Sequence, residues 1–312
     1  MATRTTEPDL GRLSGLLQDG RIVRTHVLRP TWHFVRADDL GWLGDLCRPR
    51  LRVLVERQLM QLGVDHPACS RAIAVIAGAV AGCARTRREL MADLAESGLA
   101  FDGQQLMLLA AAAEIDEVIC SGPLRDGTHT YTSFRDRVPS TRRLDRDAAL
   151  AELALRYITG HGPATDRDLA YWATLSLGDA RSGLAAVADQ LGSVEVDDIR
   201  YWYRGDPPER SSAIASANLL QILDEYYRGY QHTRGLLDVA QRVPRGRETS
   251  TGMVLIDAQI VAGMTRTVGT DRVVFEIRGL RALSRTDKSL IDATARRYGS
   301  FLDLAATVTY SG

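Results

Sequence analysis

The chain has 312 residues, of which 45% are hydrophobic and 25% charged. That is ample for a real core and about two domains, and it excludes a miniprotein and a disordered chain. Lys+Arg and Asp+Glu both number 39, so no global positive field points to nucleic acid and any basic surface must be local. No apolar run reaches the roughly eighteen residues of a membrane-spanning helix. Every cation except Lys288 is an arginine, whose planar fork suits phosphate and base edges as well as structural ion pairs. Cys47, Cys69, Cys83 and Cys120 lie far apart without zinc-ligand spacing, so reduced thiols and no metal are expected. Met1 to Leu10 is polar with no apolar h-region, and the expectation is a cytoplasmic protein with no membrane partner.

In chain order, Leu10 to Gln18 reads as a short helix. Arg21 to Leu28 and Thr31 to Val35 read as a hairpin turned at Arg29-Pro30. A helix near Arg71 to Ala81 precedes Thr86, an N-cap with Glu89 at N3, which forms a capping box opening a helix with Leu90 and Leu94 inward. A second helix starts at about Asp102 with Leu106, Leu109 and Ile115 on one stripe. Val118 to Cys120, a Gly122-Pro123 turn and the alternating Thr128 to Thr132 then predict a hairpin. About eighty residues on, the order returns. A helix over Asp147 to Ile158 precedes Thr165 as cap with Asp168 at N3. Another helix runs from about Gly178 to Leu191, and a hairpin carries Val194 and Val196, then Asp197-Asp198, then Tyr201 and Tyr203. Three helices followed by a hairpin is the order of a winged helix. By the same template the N-terminus begins at a third helix, so either 40–62 covers that incomplete unit or the start of the gene is missing. Pro207, Pro208, Ser211 and Ser212 form a linker. Met253 to Ile256, Gln259 to Val268 and Arg272 to Ile277 alternate as strands, followed by a helix over Thr286 to Tyr298 and a last strand over Ala305 to Tyr310.

The segment Arg24-Thr-His-Val-Leu-Arg-Pro-Thr-Trp-His-Phe-Val35 resembles the winged-helix DNA-binding family that includes the crosslink-repair DNA glycosylases of AlkZ and YcaQ type. The resemblance continues through Ile119-Cys-Ser-Gly-Pro123, the run from Leu144 to Leu153, Gly160-His-Gly-Pro-Ala-Thr165, Asp224-Glu-Tyr226 and Arg297-Tyr-Gly299. It implies an α+β fold of tandem winged helices, the first incomplete, followed by a small β-barrel-like domain, closed as a clamp around duplex DNA. The boundaries expected are 1–62, 63–140, 141–206 and 207–312. It also implies hydrolysis of N-glycosidic bonds to alkylated or crosslinked purines, in repair or in self-resistance to an alkylating metabolite, using water positioned by Gln-x-Gln or Gln-x-Asp. By the same resemblance that motif would lie upstream of Met1, so no catalytic residue is assigned. A monomer that binds double-stranded DNA without a cofactor is expected, with a non-catalytic winged-helix DNA-binding or regulatory module as the alternative.

Within the hairpin, alternation puts Arg24 and His26 on one strand face and turns Trp32 and Phe34 away from His33. Arg24, His26, Arg29, Trp32 and His33 are the DNA-binding candidates, and a hydrogen-bonded core or edge position is the competing reading of both histidines. Arginines 21, 24, 29, 36, 48, 50, 52 and 57 outnumber Asp38, Asp39, Asp45 and Glu56 there, a candidate phosphate-binding surface. Gln104 and Gln105 are candidates for polar DNA contacts, with plain helix surface as the alternative; as neighbours they point to different helix faces. Asp224 and Glu225 read as caps or partners of nearby arginines. No phosphate loop, dinucleotide fingerprint, H-E-x-x-H or G-x-S-x-G is present.

Overall fold

The computed structural model describes residues 7–206, 216–243 and 252–311; the Pro207 to Ser212 linker lies outside them. The fold is α+β and divides into two units, one of 11–156 and 173–188, the other holding the N-terminal stretch up to Leu10, 157–172 and the chain from 189 on.

In the first unit, helix α1 (Leu10–Gln18) leads into strands β1 (Ile22–His26) and β2 (Trp32–Arg36), antiparallel with Arg24 opposite Phe34 and His26 opposite Trp32. The period of two buries Val23 and Thr25 beneath this hairpin, where Val23 joins Leu40, Cys120, Phe134 and Val138. Helix α2 (Leu40–Gln61) runs unbroken through Pro49, and helix α3 (His66–Ala79) is capped by Asp65. Strand β3 (Arg85–Thr86) leads into α4 (Arg87–Glu96), whose capping box of Thr86 and Glu89 is as the spacing predicts. Helix α5 (Gly103–Ile115) packs against both α2 and β1, and β4 (Ile119–Ser121) also packs against β1. Cover for the N-terminal hairpin therefore comes from α5 and β4 as well as from 40–62.

Strand β5 (Thr130–Ser133) pairs with β4 on one side and β3 on the other. The reversal sits at Asp126-Gly127, both with positive φ (50° and 71°), inside an Arg125–Thr128 bridge. The sequence reading placed it at Gly122-Pro123. Gly122 is instead where a Cβ would lie 2.5 Å from the Thr130 hydroxyl, so its glycine serves close packing rather than the turn.

A one-turn helix, α6 (Phe134–Arg137), precedes α7 (Arg146–His161), α8 (Asp166–Trp172), α9 (Leu177–Ala186) and the hairpin β6 (Gly192–Val196) with β7 (Ile199–Tyr203). The order of the preceding segment thus recurs. The local bonds recur too: just as Thr86 pairs with Thr130 of a hairpin, Ala164 bridges Trp202, and Thr165 and Asp168 repeat the capping box. Asp197 and Asp198 take the positive φ of the predicted two-residue turn. Gly183 lies against the Leu150 carbonyl, 2.6 Å from where a Cβ would be, letting α9 and α7 approach closely.

In the second unit, β8 (Ala217–Leu220), the four-residue helix α10 (Glu225–Arg228), β9 (Gly252–Ile256), β10 (Gln259–Val268), β11 (Arg272–Gly279), α11 (Arg285–Leu302) and β12 (Ala305–Ser311) follow. The five strands form one sheet in the order β12-β11-β10-β9-β8, parallel only between β11 and β12, the two joined by α11. Because β12 and β8 end the sheet unpaired with each other, it is open and not a closed barrel. Strand β8 was not expected from the sequence. Among the described residues no helix is long and apolar enough to cross a membrane, no cluster of His, Cys, Asp and Glu could hold a metal ion, and all four cysteines are free, with Cys83 alone exposed.

Candidate nucleic-acid interface

The β1–β2 hairpin is tied to the body of its unit by one carboxylate. Glu114, on the apolar helix α5 and only 3% exposed, accepts at a single oxygen, Oε2, the His26 backbone N–H (3.2 Å), the Trp32 indole N–H (3.2 Å) and the His26 Nδ1. Its other oxygen, Oε1, is buried with no hydrogen-bond partner. The bonding holds the backbone of β1 and the indole of β2 in fixed orientation. The Arg24 N–H adds a bond to the Ser121 hydroxyl at 2.8 Å.

That anchoring presents Arg24 and Trp32 together. The Arg24 guanidinium sits 4.2 Å from the Trp32 ring centre, in the range of a cation–π contact, while the indole remains 42% exposed. Burial pulls the Arg24 guanidinium below its usual range, with Tyr131 and Glu114 acting in the opposite direction; an arginine stays a cation regardless. Among the described residues no carboxylate pairs with it. Trp32 meets His129 edge-on at 6.0 Å, and His129 meets Tyr131 at 4.7 Å. Burial, then the neighbouring Arg24 charge, pushes His129 down to about 4, so it is neutral at pH 7, and its Nε2 is buried without a partner. These residues line a cleft of about 630 Å³ together with Arg87, Arg88, Arg125, Glu89 and Asp126. Arg125 pairs with Glu89, whose carboxyl is held at about 2 by the Thr86 backbone N–H and by Arg125. Four arginines face two acids, leaving the cleft positive.

The remaining sequence candidates divide. Arg29 and His33 form one group, in which His33 Nδ1–H donates to the Thr31 carbonyl (2.9 Å) and the Arg29 Nη2 lies 3.2 Å from His33 Nε2. That pattern makes His33 an acceptor that orients Arg29. His26 is spent on Glu114, its side chain only 9% exposed. Gln105 closes a capping box with Asp102 and donates to the Leu62 carbonyl at 3.0 Å, whereas Gln104 is exposed at the start of α5. The local arginine excess is smaller than the count suggests. Arg48 pairs with Glu117 (2.7 Å) and Arg52 with Asp116 (3.1 Å), acids from beyond that segment. Sequence reasoning missed Glu114, His129, Arg87, Arg88 and Arg125. A lone glutamate in the otherwise apolar run from Leu106 to Ile115 was the available signal for the first.

Residues 1–301 match the family described as DNA glycosylase AlkZ-like. The chain belongs to that family. Among solved structures, the Streptomyces sahachiroi DNA glycosylase AlkZ is similar at a TM-score of 0.72 and 17% sequence identity, over 99% of this chain and 87% of that one. At that identity the likeness is one of fold. No curated protein matches the chain.

Proposed function

We propose that this chain binds duplex DNA through the β1–β2 hairpin and the arginine-lined cleft beside it, as a monomeric cytoplasmic protein related to the glycosylases that excise alkylated or crosslinked purines, in repair or in resistance to an alkylator. In this reading 63–140 and 141–206 are two winged helices, 1–62 contributes the hairpin of a third, and 207–312 is the β-rich domain. The observation that carries it is Arg24, a cation with no acidic partner among the described residues, laid over the exposed Trp32 in a cleft that three further arginines line. Arg24 and Arg29 serve phosphate, Trp32 offers an apolar face to the nucleic acid, and Gln104 a polar group. His26, His33 and Gln105 act through what they hold in place, since their bonding atoms are engaged within the protein.

Phosphate contacts release counterions, so affinity for a short duplex falls roughly tenfold or more between about 50 and 200 mM salt. Undetectable binding, or binding that ignores salt, removes the reading. Residues 1–312 contain no Gln-x-Gln or Gln-x-Asp, and hydrolysis of a glycosidic bond needs a positioned water. Under single turnover the chain accordingly releases no N7-alkylguanine above spontaneous depurination. Release orders of magnitude above that background would place the water-positioning group within these residues, with Gln18, Asp38, Asp39 and Gln58 the first to replace.

A further inference from the structure

The second unit contains a half-open pocket of its own, of about 170 Å³, lined from strands β8, β10 and β11 and helix α11. Two stretches that the interface above does not use meet there: Asp224, which opens Asp224-Glu-Tyr226, and Arg297 with Tyr298, from Arg297-Tyr-Gly299. Asn218, Arg266 and Phe275 complete the lining that matters chemically. Its size is roughly that of the ~150 Å³ cavities that admit one benzene ring, enough for a tetrahedral anion and the carbon attached to it.

The charges in this cavity are uneven. Asp224 is committed to its own helix, its Oδ1 accepting the Tyr226 N–H at 2.9 Å. Arg297 is exposed and makes no ion pair or hydrogen bond among the described residues. Arg266 lies 4.9 Å from the Tyr298 ring centre and donates through Nη1 to the Tyr298 hydroxyl at 2.5 Å, yet its Nε is buried with no partner. A buried guanidinium N–H left unpaired costs free energy unless an acceptor arrives. No carboxylate pairs with either arginine among the described residues, and Asn218 brings an amide to the same wall. Two guanidinium groups, one of them with an unsatisfied Nε–H, and an amide in one small cavity suit an anion with several acceptor oxygens.

We propose that this cavity is a phosphate-binding site, with Arg297 and Arg266 holding the anion and Phe275 and Tyr298 walling the group that carries it. It does not depend on the hairpin reading. The phosphate has two possible sources, a DNA backbone or a free phosphate monoester, and the test separates them.

The test uses the full chain, with Arg297→Ala and Arg297→Lys. Thermal unfolding is followed with inorganic phosphate, and separately with deoxyadenosine 5′-monophosphate, against chloride at matched ionic strength; duplex affinity is measured across salt. A ligand that binds only the folded chain raises its Tm. The expected result is that Arg297→Ala abolishes the phosphate-specific rise, or lowers the duplex salt slope by about one, while Arg297→Lys, which keeps the charge but loses the fork, falls between. A lowered slope assigns the cavity to backbone phosphate, and a lost Tm response with an unchanged slope assigns it to a free monoester. The proposal is overturned if phosphate stabilises Arg297→Ala as much as the parent, or if neither quantity moves. Loss of all duplex binding by the parent chain together with an intact phosphate response would refute the DNA reading and leave this one standing.

Discussion

Glu114 and Asp168 are both buried carboxylates that organise backbone far away in sequence, and they differ in how completely they are satisfied. Asp168 is fully buried and uses both oxygens. Oδ1 accepts the backbone N–H groups of Gln231, His232 and Thr233 (2.9, 2.6 and 3.1 Å), and Oδ2 accepts the Thr165 N–H and the Thr165 and Thr233 hydroxyls. Burial alone would raise its pKa, but the bonds from Thr233, Thr165 and His232 prevail and hold it below the usual carboxylate range. Glu114 takes three donors on one oxygen and leaves the other bare. A fully satisfied buried charge fixes structure, whereas a half-satisfied one marks where stability has been conceded, and such concessions concentrate at functional sites. Here the second kind stands behind the hairpin that carries Arg24, and the first behind a loop of the other unit.

The largest effect expected is at the satisfied hub. Asp168→Ala orphans four backbone N–H groups and should cost roughly 3–5 kcal/mol by chemical denaturation, with duplex affinity of the folded fraction unchanged. Asp168 also gives the pH dependence a sign. Its folded pKa lies below the unfolded value of about 4, so its contribution is complete above that value and is lost as pH falls through the folded one. Glu114→Ala should cost less, roughly 2–3 kcal/mol, but weaken duplex binding and shift the Trp32 fluorescence, because it frees the indole. If Glu114→Ala loses stability with DNA affinity intact, the contrast between the two hubs fails.

A smaller effect belongs to His129. Its folded value of about 4 lies under an unfolded value of about 6.5, so it contributes above pH 6.5 and that contribution drains between there and pH 4. His129→Gln should flatten this window by about 1–2 kcal/mol after allowance for solvent screening. Identical profiles for parent and variant would mean that the imidazole titrates normally. The smallest is at a cap: Thr86→Ala should cost about 1 kcal/mol. Its counterpart Thr165→Ala should cost more, because the same hydroxyl-to-carboxylate bond, made by Thr86 to Glu89 at a part-buried site, is buried between Thr165 and Asp168.

What the sequence showed and hid follows the same division. The capping boxes at Thr86 and Thr165 and the Asp197-Asp198 turn were legible because their determinants lie within three residues of one another. The roles of Glu114 and Asp168 were not: Glu114 reaches His26 across 88 residues and Asp168 reaches Gln231 across 63, and periodicity carries no information about such pairs. Asp168 was correctly read as the acid at N3 of a capping box, with its second oxygen invisible. Strand β8 escaped notice because its four residues follow a Pro/Ser-rich stretch that reads as loop. The closed barrel was inferred from resemblance, and strand alternation cannot distinguish it from the open sheet observed.

The most direct test of the DNA reading is the double variant Arg24→Ala/Arg29→Ala, titrated against several duplexes of unrelated sequence over a range of salt. Phosphate contacts carry no base code. The variant should therefore bind every duplex more weakly by a similar factor, with the slope of log affinity against log salt reduced by about two. Affinity and slope equal to those of the parent chain would show that the hairpin does not meet the DNA backbone.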